Sequence, residues 1–265
     1  MTLSRFFWIG FLLIATIGLI HIIHALTLGL QVQTFHTSFT ANKLREGDLR
    51  LLFLSDIHHF SLKKLKKELQ KLTAPIDLIL VGGDFPHTRL PEFLQLLKCV
   101  PAKWGIYGVE GNHDEFSFLQ KRMPEAGTLL NNEGVMLRED FYLCGFRDPW
   151  HTQVDLEAAL KNRKGEPFTL LLAHQPDQAL EMALDQVDLM LAGHTHDGEI
   201  AFFGLWRPAL TFMHVTSYNQ HFRAGWRQGR NRLPVLVNSG LGCHLFRSFT
   251  RPQIIVLTIK KADQS

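Results

Sequence analysis

Residues 49–58 read LRLLFLSDIH, an apolar run that ends in an acid and an imidazole. Residues 78–84 read LILVGGD and have the same form, since the apolar run leads through two glycines to Asp84. Such runs are typical of parallel strands that are buried on both faces. In an open α/β sheet, ligand sites form at the carboxyl ends of the strands. The two stretches therefore predict an α/β fold with a ligand site at one edge of its sheet.

Three further apolar runs end in the same way. They are residues 105–109 before Gly111-Asn112-His113-Asp114, residues 168–173 before His174, and residues 187–192 before Gly193-His194-Thr195-His196. Core packing alone does not explain why so many predicted strands end near a His, Asp or Asn. The pattern indicates one site that is assembled from all of them.

The segments between these runs alternate in character. Amphipathic patterns predict helices at about 62–72, 90–98, 115–122, 154–161 and 176–184, and a hairpin is predicted over 135–146. Strand–helix alternation implies parallel βαβ units. The tail is rich in Gly, Arg and aromatic residues between predicted strands at 200–203, 234–238 and 254–259. The expected fold is a two-layered β core flanked by helices.

Composition sets the outer limits. The chain has 265 residues and a formal net charge of +3, which suits one large α/β domain with an appendage and makes a nucleic-acid partner unlikely. Its three cysteines, Cys99, Cys144 and Cys243, are far apart and form no C-x-x-C pair. A zinc–thiolate site and a disulfide framework are therefore not expected.

Residues 6–30 contain no Asp, Glu, Lys or Arg. A membrane-spanning helix needs ~20 apolar residues, whereas the apolar core of a cleaved signal peptide has ~7–15. The run therefore predicts an uncleaved, single-pass anchor over residues 1–30, with a buried or interfacial helix as the alternative. A polar linker over 31–48 and a catalytic domain over 49–265 are expected to follow.

The orientation of this anchor is weakly marked. Arg5 lies close to one end of the apolar run, and Lys43, Arg45 and Arg50 lie at some distance beyond the other. Charges within ~15–20 residues of a span weigh most in the positive-inside rule. The near charges favour a cytoplasmic N-terminus and a catalytic domain outside the cytoplasm. The margin is one or two charges, so the sequence leaves open on which side of the membrane the domain lies.

The residue types at the strand ends are those of metal sites. Asp56 and His58 are two residues apart and therefore point to the same side, where an oxygen and a nitrogen can hold one cation. Asp84 follows two glycines that let the backbone approach a site closely. Its carboxylate either bridges two metals or closes a turn. His194 and His196 suit two neighbouring cations.

The Gly111–Asp114 motif adds other functions. Asn112 offers a neutral oxygen, and His113 is placed to act as an acid. Asp114 is expected to orient the His113 imidazole, as carboxylates behind metal ligands do. The alternative for Asn112 or Asp114 is to cap the helix predicted at 115. His174 adds a further nitrogen ligand if the rest of the site is correct.

The predicted ligands are imidazoles, carboxylates and one amide, without a thiolate. This set suits Mn, Fe or Zn better than Ca or Mg. Two such metals ~3.5–4 Å apart can clamp the attacking and leaving oxygens of an in-line displacement at phosphorus.

In the order and spacing of these motifs, residues 49–260 closely resemble the calcineurin-like metallophosphoesterases. The resemblance implies a four-layer α/β/β/α sandwich that holds two divalent metal ions, with manganese expected. It assigns Asp56, His58 and His196 to one metal, Asn112, His174 and His194 to the other, and Asp84 to a bridge between them. It also implies that His113, with Asp114, protonates the leaving oxygen or stabilises charge on the phosphoryl group.

Residues 193–200, GHTHDGEI, are similar to a membrane-anchored bacterial branch of this family, in which a glycine often replaces Asp197. Residues 240–252 resemble that branch as well. The branch includes phosphodiesterases and a UDP-2,3-diacylglucosamine pyrophosphatase of lipid A synthesis. The resemblance therefore implies a substrate with a phosphodiester or pyrophosphate bond, in one version a lipid-linked nucleotide such as UDP-2,3-diacylglucosamine. It also implies a location at the bacterial inner membrane. The alternatives are a general nucleotide or nucleic-acid phosphodiesterase and a non-catalytic, metal-stabilised scaffold, and no protein partner is inferable.

Two surfaces beyond the metal motifs concern the membrane and the substrate. One face of the helix predicted at 62–72 carries Lys63, Lys64, Lys66, Lys67 and Lys71. This face is either plainly solvated or a contact for anionic lipid headgroups. Residues 202–232 are rich in Phe, Trp and Arg and are the candidate substrate cap, with a mixture of core and surface residues as the alternative.

Overall fold

The computed structural model describes residues 3–263. Residues 1–2, where the predicted anchor begins, and 264–265, where the predicted catalytic domain ends, lie outside the described residues. One six-stranded sheet has the spatial order β1 (Gln33–Ala41), β12 (Gln253–Lys261), β2 (Leu49–Leu54), β3 (Leu78–Val81), β4 (Ile106–Gly108) and β5 (Thr128–Leu129). The other has the order β10 (Gly225–Gln228), β11 (Pro234–Val237), β9 (Leu189–Ala192), β8 (Phe168–Leu172), β7 (Phe141–Gly145) and β6 (Glu133–Arg138).

Helices cover the outer faces of the two sheets and precede them at the N-terminus. The α-helices are α1 (Leu3–Leu26), α2 (Leu62–Leu69), α3 (Leu90–Lys98), α4 (Phe116–Arg122), α5 (Leu156–Leu160), α6 (Gln178–Glu181) and α7 (Pro208–Phe212). α2 begins where the Ser61 side chain accepts the Lys64 N–H, which satisfies one of the free N–H groups at a helix start.

Alternation along the strands divides the apolar residues among three cores. In β2, Leu51 and Phe53 belong to the core between the sheets, whereas Leu52 and Leu54 pack in a second core with α2 and α3. A third core lies between the second sheet and its helices and contains Leu160 of α5. Successive side chains of a strand point to opposite faces, so each strand contributes to two cores. The predicted four-layer α/β/β/α architecture is confirmed.

The predicted linker over 31–48 is wrong for the segment that forms β1. This strand pairs in parallel with β12 along its whole length, from Gln33↔Gln253 to Ala41↔Lys261. Phe35 and Phe39 pack against the core between the sheets, while the intervening residues are mostly Thr, Ser and His. The polar neighbours mask the period of two, so the folded domain begins at β1 and not at residue 49.

Two smaller predictions also fail. Residues 200–203 do not form a strand, because Ile200 and Phe202 make only isolated bridges to Ser248 and Trp206. The helix predicted at 176–184 is reduced to α6. Ile200 and Phe202 line the cavity beside the candidate site, where a loop replaces regular structure.

α1 projects from the sandwich. Most of it lies in Arg5–Leu30, a stretch of mean hydropathy 2.4 whose most apolar window is 6% buried, and it is the one helix of the described residues long and apolar enough to cross a membrane. Its exposure contradicts the alternative of a buried helix. Its last turns contact the domain, since the Phe249 N–H donates to His24 Nδ1 (3.0 Å) and the two rings stack with centroids 4.5 Å apart.

Candidate metal centre

The carboxyl ends of β2, β3 and β4 meet those of β8 and β9 at one edge of the sandwich, and the predicted ligands lie there. Ligand atoms of Asp56, His58, Asp84 and His196 lie within 4.8 Å of one another. His196 Nε2 is 3.2 Å from His58 Nε2 and 3.4 Å from Asp56 Oδ1. This first ligand group therefore has the composition and spacing of one cation site.

The second ligand group consists of Asn112, His174 and His194. Asn112 Oδ1 is 2.9 Å from His174 Nε2 and 2.9 Å from His194 Nδ1, and the two nitrogens are 3.3 Å apart. The other ring nitrogens face carbonyls, since His174 Nδ1 lies 2.7 Å from Gly82 O and His194 Nε2 lies 2.9 Å from Val215 O. When those nitrogens carry the protons, lone pairs of all three ligand atoms face one another. A cation between them removes the repulsion, so the residues fit a metal.

Asp84 joins the two groups. Its Oδ2 is 3.3 Å from His58 Nε2 in the first group and 3.5 Å from His174 Nε2 in the second. One carboxylate oxygen therefore lies between both sets of ligands. This is the arrangement expected for a residue that bridges two metals ~3.5–4 Å apart.

Most of the predicted ligands have left-handed backbone conformations. Residues with positive φ are Asp56 (50°), His58 (45°), Asp84 (53°), His194 (67°) and His196 (50°). Non-glycine residues rarely adopt this region, and each instance costs ~1–3 kcal/mol. Such strain accumulates at functional sites because the surrounding structure holds the side chains in place for a ligand. The strands and cores on either side provide that support here.

Gly83 allows the strand-end loops to approach one another. Its φ is +89°, and a Cβ atom there would lie 2.6 Å from His174 Nδ1 and 2.7 Å from the Gly111 nitrogen. The sequence predicted a close backbone approach at this pair of glycines, and the contact across the two sheets is the reason.

Burial lowers the pKa of three ligand imidazoles, those of His58, His194 and His196, and so keeps them neutral. Desolvation lowers the pKa of His58 to about 4, and desolvation with the nearby His174 lowers that of His194 to about 3. Burial opposes the charge on His174 also, but the carboxylates of Asp84 and Asp56 outweigh it and raise its pKa to about 9. Burial raises the pKa of Asp56 to about 6. A cation that enters the second group therefore displaces a proton from His174.

His113 lies at the mouth of the centre, but Asp114 does not orient its imidazole. The His113 N–H donates to Asp84 Oδ1 (2.9 Å), and its ring centroid is 5.5 Å from that of His58. The Asp114 carboxylate instead accepts N–H groups of Asp84, Gly111 and Phe85 at 2.8–2.9 Å. The expected contact is wrong because these buried donors occupy both carboxylate oxygens.

The helix-cap alternative is also wrong. α4 begins after Glu115, whose side chain makes no capping bond, and neither Asn112 nor Asp114 occupies the cap position. Asn112 faces His174 and His194, and Asp114 ties the loop after β4 to the loop after β3. Asp114 therefore acts on the position of Asp84 and not on the protonation of His113.

Sequence reasoning missed two residues beside the first ligand group. Glu199 Oε1 lies 3.5 Å from His196 Nδ1 and accepts from His244 Nδ1 at 3.0 Å. The His244 ring lies 5.2 Å from that of His196 and 5.8 Å from that of His113. Glu199 therefore holds His244 beside the first ligand group, whereas His196 Nδ1 makes no hydrogen bond within the described residues. The sequence signal was the Glu three residues after His196, but His244 lies on a loop without any pattern.

Arg247 is fully buried behind the same loop. It donates to His196 O (3.0 Å), Ser239 O (2.6 Å) and Gly242 O (2.6 Å). Desolvation lowers its pKa, and the carbonyl dipoles compensate for the lost water. The guanidinium therefore joins the loop after β9 to the loop after β11, both of which border the centre.

Asp197, where the resembled branch often has glycine, has a structural role. Its φ is +52°, a value that glycine adopts without strain. The carboxylate accepts both Nε (2.6 Å) and Nη2 (2.9 Å) of the buried Arg207, and the Ala224 N–H as well (3.0 Å). The pair fastens the segment after residue 202 to the loop that carries His194 and His196.

A cavity of about 600 Å³ opens beside the centre. One end is lined by site residues, among them Asp84, Asn112, His113, His194 and His244. The other wall is apolar and contains Ile200, Phe202, Pro208, Ala209, Met213 and Leu245. Trp150, which is 67% exposed, has its ring 6.1 Å from that of His194 at the polar end.

The candidate substrate cap divides into two parts. Phe202, Met213 and their neighbours line the cavity. Phe222 belongs instead to the core behind the second sheet, and Trp226 packs on Phe39 with ring centroids 5.9 Å apart. Within residues 202–232, the cavity is therefore lined only by Phe202, Pro208, Ala209, Met213, His214 and Val215.

Comparisons with known proteins agree with this geometry. The family model described as calcineurin-like phosphoesterase matches residues 49–198. An uncharacterized metallophosphoesterase of Helicobacter pylori is 32% identical over 64% of this chain and 50% of its own length. YkuE of Bacillus subtilis, an uncharacterized metallophosphoesterase, is 28% identical over 81% and 80%, and the phosphodiesterase YaeI of Escherichia coli is 30% identical over 57% and 62%.

The chain spans about half the length of the Helicobacter relative that it matches. The matched family region contains the strand ends that carry every predicted ligand and ends two residues after His196. With the two ligand groups joined by Asp84 at the edge of the four-layer sandwich, the chain belongs to the calcineurin-like phosphoesterases.

Proposed function

We propose that the protein is a phosphoesterase with two metal ions, expected to be manganese, that hydrolyses a phosphodiester or pyrophosphate bond in a lipid-linked nucleotide such as UDP-2,3-diacylglucosamine. The observation that carries this proposal is the cavity of about 600 Å³, which joins the ligand groups to an apolar wall. The name of the Escherichia coli relative, a phosphodiesterase, supports a diester as the bond that is cleaved.

The two ends of the cavity suit the two parts of such a substrate. Small-molecule sites are mostly apolar, with a few polar groups that fix orientation. Here the polar groups lie together at the metal end, where the exposed Trp150 ring offers a surface for a nucleobase. The opposite wall, which includes Phe202 and Met213, offers acyl chains an apolar surface. A small nucleotide alone would leave this wall in contact with water.

The chain's own residues position and protonate the substrate. When bound, the two metals supply positive charge that stabilises the phosphoryl oxygens during displacement. His113 lines the cavity beside the centre, where its imidazole can donate a proton to the leaving oxygen. Glu199 holds His244 through Nδ1, so Nε2 is the atom available to a phosphoryl oxygen. A non-catalytic scaffold has no need of these two imidazoles.

The anchor is proposed to hold this site at the bacterial inner membrane through residues 6–30. α1 is long and apolar enough to cross a bilayer, and His21 and His24 attach its end to the domain through Ser248 and Phe249. The contact sets the direction in which the cavity faces.

The test is an assay of the full-length, manganese-loaded protein. UDP-2,3-diacylglucosamine should be cleaved with a higher kcat/KM than the unacylated UDP-sugar, because only the first fills the apolar wall. Met213→Gln should reduce kcat/KM for the acylated compound more than for bis-p-nitrophenyl phosphate. Preference for the unacylated sugar, or for nucleotides and oligonucleotides, would overturn the lipid-linked substrate and favour the general phosphodiesterase. No turnover of any compound by metal-loaded protein would favour the scaffold.

A further inference from the structure

Six large apolar side chains form an exposed surface on the two loop segments that contribute Phe202, Met213 and Leu245 to the cavity wall. We call this surface the apolar rim, and it consists of Phe203, Leu205, Phe212, Met213, Leu245 and Phe246. Their exposed fractions are 49%, 78%, 67%, 72%, 77% and 44%. Soluble proteins rarely expose contiguous apolar patches beyond a few hundred Å², and larger ones mark contacts with proteins or membranes.

The rim lies against the anchor. The ring of His21 in α1 is 5.7 Å from that of Phe203, and His21 Nδ1 lies 2.8 Å from Ser248 Oγ. Gly29, just beyond α1, fits so closely against the carbonyl of Arg247 that a Cβ atom would collide with it. The anchor therefore adjoins the rim at Phe203 and at the loop that carries Phe246.

The position of this contact along α1 sets the depth of the rim. A hydrocarbon core ~30 Å thick takes up about 20 helical residues. A span that starts at Arg5, the first charged residue of the described helix, reaches to about residue 25 by that measure. His21 lies within the span, so the side chains beside it lie at the boundary between headgroups and acyl chains. Amphipathic elements enter that boundary by ~5–10 Å.

The charge on the same side of the molecule agrees with this depth. Lys64 Nζ donates to Leu30 O (3.4 Å), so α2 lies beside the end of the anchor. The other lysines of α2, Lys63, Lys66 and Lys67, are exposed. Lysines near an anionic surface each contribute ~1 kcal/mol of attraction. The lysines of α2 and the end of the anchor therefore lie on the same side of the domain, which supports the headgroup contact over a plain solvated face.

We propose that the apolar rim enters the bilayer beside the anchor and that a lipid-linked substrate reaches the metal centre laterally through it. Phe202, Met213 and Leu245 line the cavity as well as its mouth, so acyl chains pass from one apolar environment to another without crossing water. The membrane contact of the rim stands by itself, whereas the lateral route rests on the function proposed above.

A depth measurement on the full-length protein tests the membrane contact. Leu205→Cys in a background of Cys99→Ser and Cys243→Ser accepts a nitroxide label, and the protein is placed in vesicles with anionic phospholipids. The label should be relaxed more strongly by oxygen, which concentrates in the bilayer, than by a water-soluble nickel complex. Glu139→Cys, between β6 and β7 at the opposite edge, is the control and should show the reverse. Equal behaviour of the two labels would overturn the proposed contact.

An activity measurement tests the lateral route. Leu205→Glu combined with Phe246→Glu places charge in the rim without changing the metal centre or the wall of the cavity. Charge in the rim opposes its entry into the bilayer, so kcat/KM on vesicle-borne UDP-2,3-diacylglucosamine should fall by roughly tenfold. Turnover of bis-p-nitrophenyl phosphate should stay at the wild-type rate. Lys164→Gln with Glu139→Gln, on the opposite edge, is the control and should leave both rates unchanged.

The two experiments distinguish failure of the inference from failure of the function. A label in the bilayer with no cleavage of the lipid-linked compound would support the rim contact and contradict the proposed substrate. A label in water with full cleavage of vesicle-borne substrate would support the function and overturn the inference. Equal cleavage of vesicle-borne substrate by the rim variant and the wild type would overturn the lateral route.

Discussion

Replacement of Asp84 by Asn tests the metal centre most directly, because one carboxylate oxygen of Asp84 lies between the two ligand groups. Oδ2 is 3.3 Å from His58 Nε2 and 3.5 Å from His174 Nε2. Oδ1 accepts the His113 N–H at 2.9 Å. An asparagine keeps this hydrogen bond only with its amide oxygen at the Oδ1 position. Its NH₂ group, which offers a metal no lone pair, then takes the bridging position.

The size of the effect follows from burial. Asp84 is 1% exposed, so water screens its charge little. Removal of one partner from a buried ion pair costs ~3–5 kcal/mol. At ~1.4 kcal/mol for each factor of ten, metal binding should weaken by a factor of roughly 100 to 4,000. We expect Asp84→Asn to lose at least one of two metals, and turnover to be lost with it.

The assay is metal analysis of chelator-treated protein after reloading with manganese and dialysis, followed by calorimetric titration. The wild type should hold two metals per chain. Asp140→Asn is a matched control, because Asp140 is also 1% exposed but binds Arg138 and the N–H groups of Arg45 and Glu46 before β7. This variant should lose stability and keep both metals.

Two results would refute the reasoning. Two metals bound by Asp84→Asn with wild-type affinity would show that Oδ2 does not bridge them. Equal metal loss in Asp84→Asn and Asp140→Asn would show that any buried carboxylate has the same effect, so that the spacing at the centre decides nothing.

Three further predictions follow from the same geometry. His113→Ala should keep both metals and lose ~10²–10⁴-fold in kcat. The loss should be smaller with a p-nitrophenolate leaving group, which needs less protonation. Equal losses on poor and activated leaving groups would exclude the acid role of His113. Because the pKa of His174 in the metal-free protein is about 9, metal uptake should release about one proton, and the affinity for the metal should fall by about tenfold from pH 8 to pH 7. Calorimetry in buffers of different ionisation enthalpy measures the proton release, and its absence would contradict the prediction. A chain that starts at residue 31 should stay folded. One that starts at residue 49 lacks β1, exposes the edge of β12 and should aggregate. Similar solubility and melting temperature of the two chains would show that β1 is dispensable.

The sequence alone predicted which residues meet at the candidate metal centre. Apolar runs that end in Asp, His or Asn identify strand ends directly, because both the strand and the ligand are local features of the chain. The order of the motifs then placed Asp56, Asp84 and His194 at one edge, since parallel strands share the direction of their carboxyl ends. Four layers followed from the same alternation of strands and helices.

Tertiary structure decided the features that depend on contacts between distant segments. β1 reads as a polar linker because its stability comes from pairing with β12, more than two hundred residues away. Asp114 was expected to orient its neighbour His113, but the backbone of the loop after β3 supplies stronger, buried donors. Glu199 and His244 meet beside His196 only when the loops after β9 and β11 fold together.

The apolar rim shows the same limit most clearly. Phe203, Leu205 and Phe246 are ordinary apolar residues in sequence, and a buried position is the default expectation for each. Only the folded chain shows that they stay exposed, with Phe203 beside His21 of α1. Exposure is a property of the whole surface, because it depends on what every other segment covers. The local sequence therefore predicted the chemistry of the centre, and the packing of distant loops decided what surrounds it.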